Sequence, residues 1–389
     1  MTVPYVLAAI AVGVPLYAYI GYPLLLALIS SLRRKVNPPP APRDWPPVTV
    51  TIPVYNEERV IRNKLERVLN YDYPRERLQV LVVSDASTDR TDEIVREFAP
   101  RGVELIRLAR RGGKTAAENA ALPHLRGEIV VNSDASVRAD PAALKRLVAW
   151  FEDPAVGVAS GRDVSVSSVE DYANVGESSY VGYEMWVRRL ETRLAGIIGA
   201  SGCFYAIRKH LHQHLVPEAL SRDFAAPLVA REHGYRSVSV DDAVVFVPRA
   251  GSLRQEYRRK VRTMTRGLET LFFKRHLLNP FRYGLFAWEL ASHKLMRWLV
   301  PWALLLGVAA LASLTPVKAW ALWATVGVVA SGIAGLAGWF WPQETSMPRW
   351  LAIPAYYAAG IAAGLHAWVN ALRREMNPVW EPTRREVNP

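Results

Sequence analysis

Leu78-Gln79-Val80-Leu81-Val82-Val83-Ser84-Asp85-Ala86-Ser87-Thr88-Asp89 is the stretch from which the fold can be read. An apolar run rich in valine ends on small polar and acidic residues, as a strand buried on both faces does when it delivers a loop. The same pattern recurs. Residues 48–54 run into Tyr55-Asn56-Glu57-Glu58, 103–108 lead to Gly112-Gly113-Lys114-Thr115, and 128–132 lead to Ser133-Asp134-Ala135-Ser136. Helical spacing fills 57–69, 91–98, the stretch from Lys114 and 141–151. Such alternation predicts a parallel α/β sheet covered on both faces. Ligands of these sheets lie beyond the carboxyl ends of the strands, where all four polar clusters fall.

Outward from this middle the composition changes. The chain has 389 residues, 50% hydrophobic and 22% charged, yet 1–32, 299–317, 319–343 and 350–372 contain no Asp, Glu, Lys or Arg. A soluble domain does not segregate charge in this way. Residues 3–32 exceed the ~20 that a spanning helix needs, and Arg33-Arg34-Lys35 follow the apolar run, as in a retained anchor. That order predicts an outside N-terminus and a cytoplasmic middle domain. Further candidate spans are 299–316, 319–341 and 350–372, with Trp298, Trp302, Trp320, Trp323, Trp339, Trp341 and Trp350 near their ends. Residues 281–298 mix Phe281, Leu285, Phe286 and Trp288 with Arg282, His293, Lys294 and Arg297, which suits an interfacial helix.

The expected organisation is therefore an anchor at 1–32, a Pro-rich linker at 33–47, an α/β domain at 48–265, interfacial amphipathic helices at 266–298, two or three spanning helices within 299–372 and a polar tail at 373–389. Four crossings would leave Arg373, Arg374, Arg384 and Arg385 outside, against the positive-inside rule. The net charge of +12 suits anionic headgroups and phosphate-bearing substrates rather than nucleic acid. One cysteine, Cys203, excludes an intrachain disulfide and a multi-cysteine zinc site.

Each polar cluster has a plain structural reading beside a chemical one. Ser87 or Asp89 suits a helix cap, whereas Asp85 sits at the strand tip. Gly113-Lys114-Thr115 lacks the first glycine of a phosphate-binding P-loop, because Leu108 stands there. A lysine at a helix start opposes the helix dipole and calls for an anion nearby. Asp134 could hold a hard divalent ion bridging a diphosphate. His210, His212 and His214 alternate in a loop-like stretch and read as solvated surface.

In this order the motifs resemble the family 2 inverting glycosyltransferases of GT-A (Rossmann-like) fold, in the membrane-embedded branch that includes cellulose and hyaluronan synthases. The resemblance implies a donor site for a UDP- or GDP-sugar formed by Tyr55, Glu57, Asp85, Lys114, Asp134, Gln255, Arg258 and Arg259. Asp134 matches the first carboxylate of the family's metal-binding Asp-x-Asp, with Ser136 at the second position, which implies Mg2+ or Mn2+. Gly199, Ser201, Gly202 and Cys203 resemble the acceptor-side loop, Cys203 being a small filler. Asp223 matches the general base, with Arg222 beside it favouring its ionised form. Gln255 and Arg258 match the Gln-x-x-Arg-Trp signature, but Arg259 replaces the tryptophan that positions the acceptor. The expected activity is sugar transfer to a saccharide or lipid-linked acceptor at the plasma (inner) membrane, in polysaccharide synthesis or as single addition to a lipid. An inactive nucleotide-sugar-binding protein is the remaining alternative.

Overall fold

The structure, a computed structural model, describes residues 2–33, 36–166, 173–214, 216–248, 253–342, 345 and 347–375, with the side chains of 173–180, Pro248 and Arg349 outside the description. Arg34 and Lys35 of the basic cluster lie outside it, as do Arg384 and Arg385.

Among the described residues eight strands form one sheet. They are β1 (Val48–Val54), β2 (Leu78–Ser84), β3 (Val103–Arg107), β4 (Ile129–Ser133), β5 (Arg138–Ala139), β6 (Val156–Val166), β7 (Phe204–Arg208) and β8 (Arg236–Pro248), in the order β3-β2-β1-β4-β7-β6-β8-β5. Strand alternation sends side chains to opposite faces. Val50, Ile52, Val80, Val82 and Val131 pack with Ile61, Leu65, Leu144 and Leu147 on one face. Leu81, Val83 and Val130 pack with Ala117, Ala121, Ala226 and Ala230 on the other.

The expected parallel arrangement holds for β1 to β4. β7 departs from it, running antiparallel to both β4 and β6. The cause is where the chain re-enters the sheet. The helix Ala173–Leu194 and the loop after it bring residue 203 back to the carboxyl end of β4, where the Asp134 amide donates to the Cys203 carbonyl at 3.1 Å. β7 must start where β4 stops. The helix expected from residue 57 begins only at Ile61, and the Glu57 and Glu58 amides donate to Thr91 and Asp89 of the neighbouring loop.

Among the described residues three helical stretches are long and apolar enough to cross a membrane: Thr2–Ser31, Leu285–Leu314 and Ala319–Trp339. Leu24, Leu28, Val329, Ile333 and Leu336 on them are exposed, as lipid-facing residues would be. The helix over the fourth candidate, Arg349–Arg373, is not among the three. It turns Ala355, Ala359, Ala363, Ala367 and Ala371 inward and is tied by the Trp368 indole to the Trp298 carbonyl at 2.7 Å. The boundaries expected at 265/266 and 298/299 fall inside helices, Leu253–Phe273 and Arg297–Leu314.

A buried polar junction joins the apolar helices to the sheet domain. The Tyr22 hydroxyl donates to Glu191 Oε1 at 2.8 Å, and the Trp288 indole donates to the Tyr17 hydroxyl at 3.0 Å. His293 lies 2.5 Å from Glu191 and 2.8 Å from Glu184. Arg297 completes the set, 2.8 Å from Glu184. The polar side of 281–298 is thus turned inward at His293 and Arg297. Both flanking segments, Tyr17–Gly21 and Ala291–Met296, are π-helical here, an irregularity that recurs where a helix serves a functional contact.

Candidate active site

The first two strand tips are locked together by their own side chains. Asn56 and Ala86 both adopt positive φ, 51° and 58°, uncommon for residues with a Cβ. Asn56 repays this by accepting from the Thr88 amide at 2.8 Å while its own amide donates to Ser87 Oγ at 3.2 Å. Asp89 accepts from the Thr91 amide at 3.0 Å, which is the capping role expected of it. Asp85 does something else. Its two carboxylate oxygens accept from the Gly112 and Gly113 amides at 2.7 and 2.8 Å, so it fixes the loop that starts the helix Lys114–Ala121. Gly113 needs its missing Cβ there, with φ of 90°. The Arg111 guanidinium stacks 3.7 Å above the Tyr55 ring at the mouth of this loop.

That helix start delivers Lys114 to the third cluster. Its Nζ donates to Asp134 Oδ1 at 2.6 Å and to the Gly202 carbonyl at 2.7 Å. The anion demanded by a lysine at a helix N-terminus is therefore Asp134. On the other side of the same glycine stands Asp223. A Cβ on Gly202 would lie 2.7 Å from Asp223 Oδ2, while Oδ1 is held by the Ser221 hydroxyl. The Ala200 amide donates to the Asp223 carbonyl at 3.2 Å. Ser201 Oγ donates to Asp163 at 2.6 Å and accepts from the Cys203 amide. The acceptor-side loop thus lies between the carboxylate expected at the diphosphate and the carboxylate expected as base.

The electrostatics of this cluster are dominated by burial. Burial alone would lower the Lys114 pKa, but Asp134, then Glu118 and Asp223, outweigh it and hold the ammonium above its ordinary range. Burial pushes the Glu118 carboxyl up, against the pull of Lys114 and Arg222. It does the same to Asp163, which Arg188 and the Ser201 hydroxyl oppose. Three residues here had no signal in the sequence reading: Glu118, Asp163 and Arg266. Arg266 donates to Thr115 Oγ1 at 2.7 Å and has Asp223 and Glu118 as acidic neighbours. Its only sequence trace was its place on a basic helix.

Several expected placements are revised. Arg222 does not flank the Asp223 carboxylate: successive helix residues diverge in direction, and its guanidinium bonds to Asn119 and to the His212 carbonyl and lies 3.6 Å from Glu118. His212 is buried rather than solvated, and burial followed by Arg222 holds its pKa well below the ordinary value. Cys203 is only partly buried. Gln255 and Arg258 are exposed on the helix Leu253–Phe273, and Arg259 is paired through two nitrogens with Glu256 at 2.7 and 2.9 Å. From that helix Arg266 hydrogen-bonds to Thr115, and Thr270 accepts from the Ser221 amide at 3.0 Å.

Among the described residues no three His, Cys, Asp or Glu side chains converge as a metal cage. One strand-tip carboxylate, Asp134, offers the hard oxygen donor that suits an Mg2+- or Mn2+-type ion whose other positions are filled by phosphate and water. Bound there, such an ion supplies positive charge beside a diphosphate.

The comparisons agree with this geometry. The model described as Glycosyl transferase family 2 matches residues 49–216. The mannosyltransferase PcManGT from Pyrobaculum calidifontis, solved in complex with GDP-Man and Mn2+, is 28% identical and superposes over 95% of this chain and 99% of its own, with a TM-score of 0.70. A beta-monoglucosyldiacylglycerol synthase of Nostoc sp. is 29% identical over 157 residues, 39% of this chain and 33% of its own length. The undecaprenyl-phosphate 4-deoxy-4-formamido-L-arabinose transferase of Edwardsiella ictaluri is 28% identical over 206 residues, 50% of this chain and 58% of its own. The matches to these two curated relatives span about a third and rather more than half of their lengths. Four strand tips and the loop at 199–203 fall inside the match to the Glycosyl transferase family 2 model, and the fold is GT-A-like.

Proposed function

We propose that the protein is an inverting glycosyltransferase that moves a hexosyl group from a UDP- or GDP-sugar to a hydroxyl of a lipid-linked acceptor at the membrane surface. The observation that carries this reading is Gly202: its carbonyl holds Lys114 with Asp134, and the space beside its Cα is filled by Asp223. Cations for a leaving diphosphate and a carboxylate for an incoming hydroxyl share one residue. Asp223 takes the hydroxyl proton as that oxygen bonds to the anomeric carbon from the face opposite the diphosphate. The bond from the anomeric carbon to the phosphate oxygen breaks, and its electron pair leaves with the diphosphate. Lys114 and Arg266 stabilise the charge that develops. One displacement suffices, so no protein nucleophile is required.

Processive polysaccharide synthesis is the second reading, supported by the Gln255 and Arg258 match. Arg259, committed to Glu256, supports single addition instead. For topology, three crossings starting outside would place the sheet domain in the cytoplasm, with Arg373 and Arg374 on the same side. This agrees with the positive-inside rule and suits the inner membrane.

The test is to incubate the purified full chain with a panel of UDP- and GDP-sugars and a lipid extract, reading diphosphate release and product anomer. An inverted product from one donor is expected. Donor binding without release or transfer would make the protein a nucleotide-sugar binder, and no binding of any donor would remove the reading altogether.

A further inference from the structure

Behind the acceptor loop, a buried arginine links the helix that carries Lys114 to the helix that carries Asp223. Arg222 is 4% exposed, and Glu118, its ion-pair partner, is 2% exposed. The Arg222 guanidinium donates through one terminal nitrogen to Asn119 Oδ1 and through the other to the His212 carbonyl at 3.0 Å. Its Nε stands 3.6 Å from Glu118 Oε2. A buried charge is tolerated only when it is paired and hydrogen-bonded, and here every partner comes from a different helix than the arginine itself.

The link reaches both halves of the site. Lys114 and Glu118 are four residues apart and share one face of the helix Lys114–Ala121. Lys114 is committed to Asp134 and the Gly202 carbonyl, while Glu118, one turn along, meets Arg222. On the helix Arg222–Glu232 the first two residues are about 100° apart, so Arg222 turns into the interior while Asp223 turns to Gly202. The Asp223 carboxylate is thus fixed by Ser221 and bounded by Gly202, and its backbone is held from the other side by the arginine. Thr115 Oγ1 and Asn119 Nδ2 donate to the Leu220 and Val216 carbonyls at 2.9 and 3.0 Å, which docks the chain entering the base helix on the same partner helix.

A displacement with inversion needs the leaving diphosphate and the incoming hydroxyl at a fixed separation. The first is met from the Lys114 helix and the second from the Asp223 helix, so the joint between these helices sets that separation. We propose that Arg222, through Glu118 and Asn119, is a positioning residue that holds the general base at its working distance from the cations of the diphosphate. The inference rests on the glycosyltransferase reading and deepens it, because it assigns acceptor transfer to a side chain that touches no substrate.

The test uses the purified full chain in detergent, with the UDP- and GDP-sugar panel as donors and a lipid extract as acceptor. Transfer, hydrolysis of the donor by water, and GDP and UDP affinity are measured on the same preparations of wild type, Arg222→Met and Arg222→Lys. Arg222→Met should lower transfer about ten- to a hundredfold, the cost of misplacing a reacting group by up to about 1 Å. Water can follow a displaced base and a lipid-anchored hydroxyl cannot, so hydrolysis should fall less, and the ratio of transfer to hydrolysis should drop about tenfold. Nucleotide affinity should stay within about threefold, and Arg222→Lys should recover part of the lost ratio. Glu118→Gln, which removes the partner's charge and keeps its shape, should move the ratio the same way. It replaces Arg222→Met if that variant does not keep its melting temperature. An unchanged ratio of transfer to hydrolysis overturns the inference and leaves the glycosyltransferase reading intact, whereas a wild-type chain that neither hydrolyses nor transfers any donor sinks that reading beneath it.

Discussion

Gly202→Ala isolates the step on which the catalytic reading depends. The new methyl would start 2.7 Å from Asp223 Oδ2, where side-chain carbons do not come closer than 3.0 Å. The carboxylate cannot swing clear without cost, because its other oxygen is held by Ser221. It must retreat by about half an ångström, and since about 1 Å of misplacement can cost about a hundredfold, a fall in kcat of about ten- to a hundredfold is expected. Residue 202 is not in the left-handed region, so the methyl brings a steric penalty rather than a backbone one, and the melting temperature should change little. Donor affinity should stay within about threefold, because Lys114 bonds to the carbonyl of residue 202 and not to its side chain. The assay is sugar transfer at saturating donor, with nucleotide affinity measured on the same preparation, in wild type, Gly202→Ala, Asp223→Asn and the double variant. If the methyl acts through the base, it should cost almost nothing once the base is gone. A near-normal rate in Gly202→Ala, or full additivity in the double variant, would refute the assignment of Asp223.

Asp223→Asn alone keeps the helix start and removes the proton acceptor, so transfer should fall about 10²–10⁴-fold with nucleotide binding nearly intact. Asp134→Ala should fail differently, weakening nucleoside diphosphate binding and abolishing its sensitivity to chelator; unchanged affinity in both conditions would assign the diphosphate to side-chain cations alone. Lys64 is buried against Ser133 and Val137, and burial, partly offset by Asp134, lowers its pKa to about 7. Because the unfolded lysine stays protonated up to about 10.5, the unfolded state binds the extra proton between these values, and this group's contribution to stability rises with pH across that window. Thermal melts should show wild type gaining on Lys64→Met from pH 7 to pH 10, and a flat difference would count against the buried lysine. An engineered cysteine at Arg101 should resist labelling from outside intact cells, and efficient labelling there would reverse the topology.

The strand tips were legible because a buried strand leaves a long apolar trace that ends abruptly at the loop. Asp134 and Lys114 inherit their places from those ends, whereas Asp223 lies in the first turn of the helix Arg222–Glu232. Direction was not legible: β7 reads as apolar whichever way it runs, and only the chain's return at residue 203 decides it. Arg222 misled for a geometric reason, since adjacent helix positions are about 100° apart and cannot serve one target. Arg266 and Asp163 were silent because their roles come from packing between elements far apart in the chain. Glu118 was silent for the same reason, since Arg222 reaches it from another helix.

The buried junction between the apolar helices and the sheet domain also sets an order of assembly. The Tyr22 hydroxyl is made 169 residues before its acceptor Glu191, and Tyr17 precedes Ser292 by 275. During synthesis the first helix must therefore wait with its tyrosine hydroxyls unmatched, until the sheet domain has folded and the later helices have arrived. Only then can Glu191 and His293 close the joint. A truncation that removes the first helix takes away the Tyr22 hydroxyl bonded to Glu191 and the Tyr17 hydroxyl that accepts from Trp288. It should leave Glu191 with His293 but without its tyrosine donor, and the fragment should be less stable than the full chain.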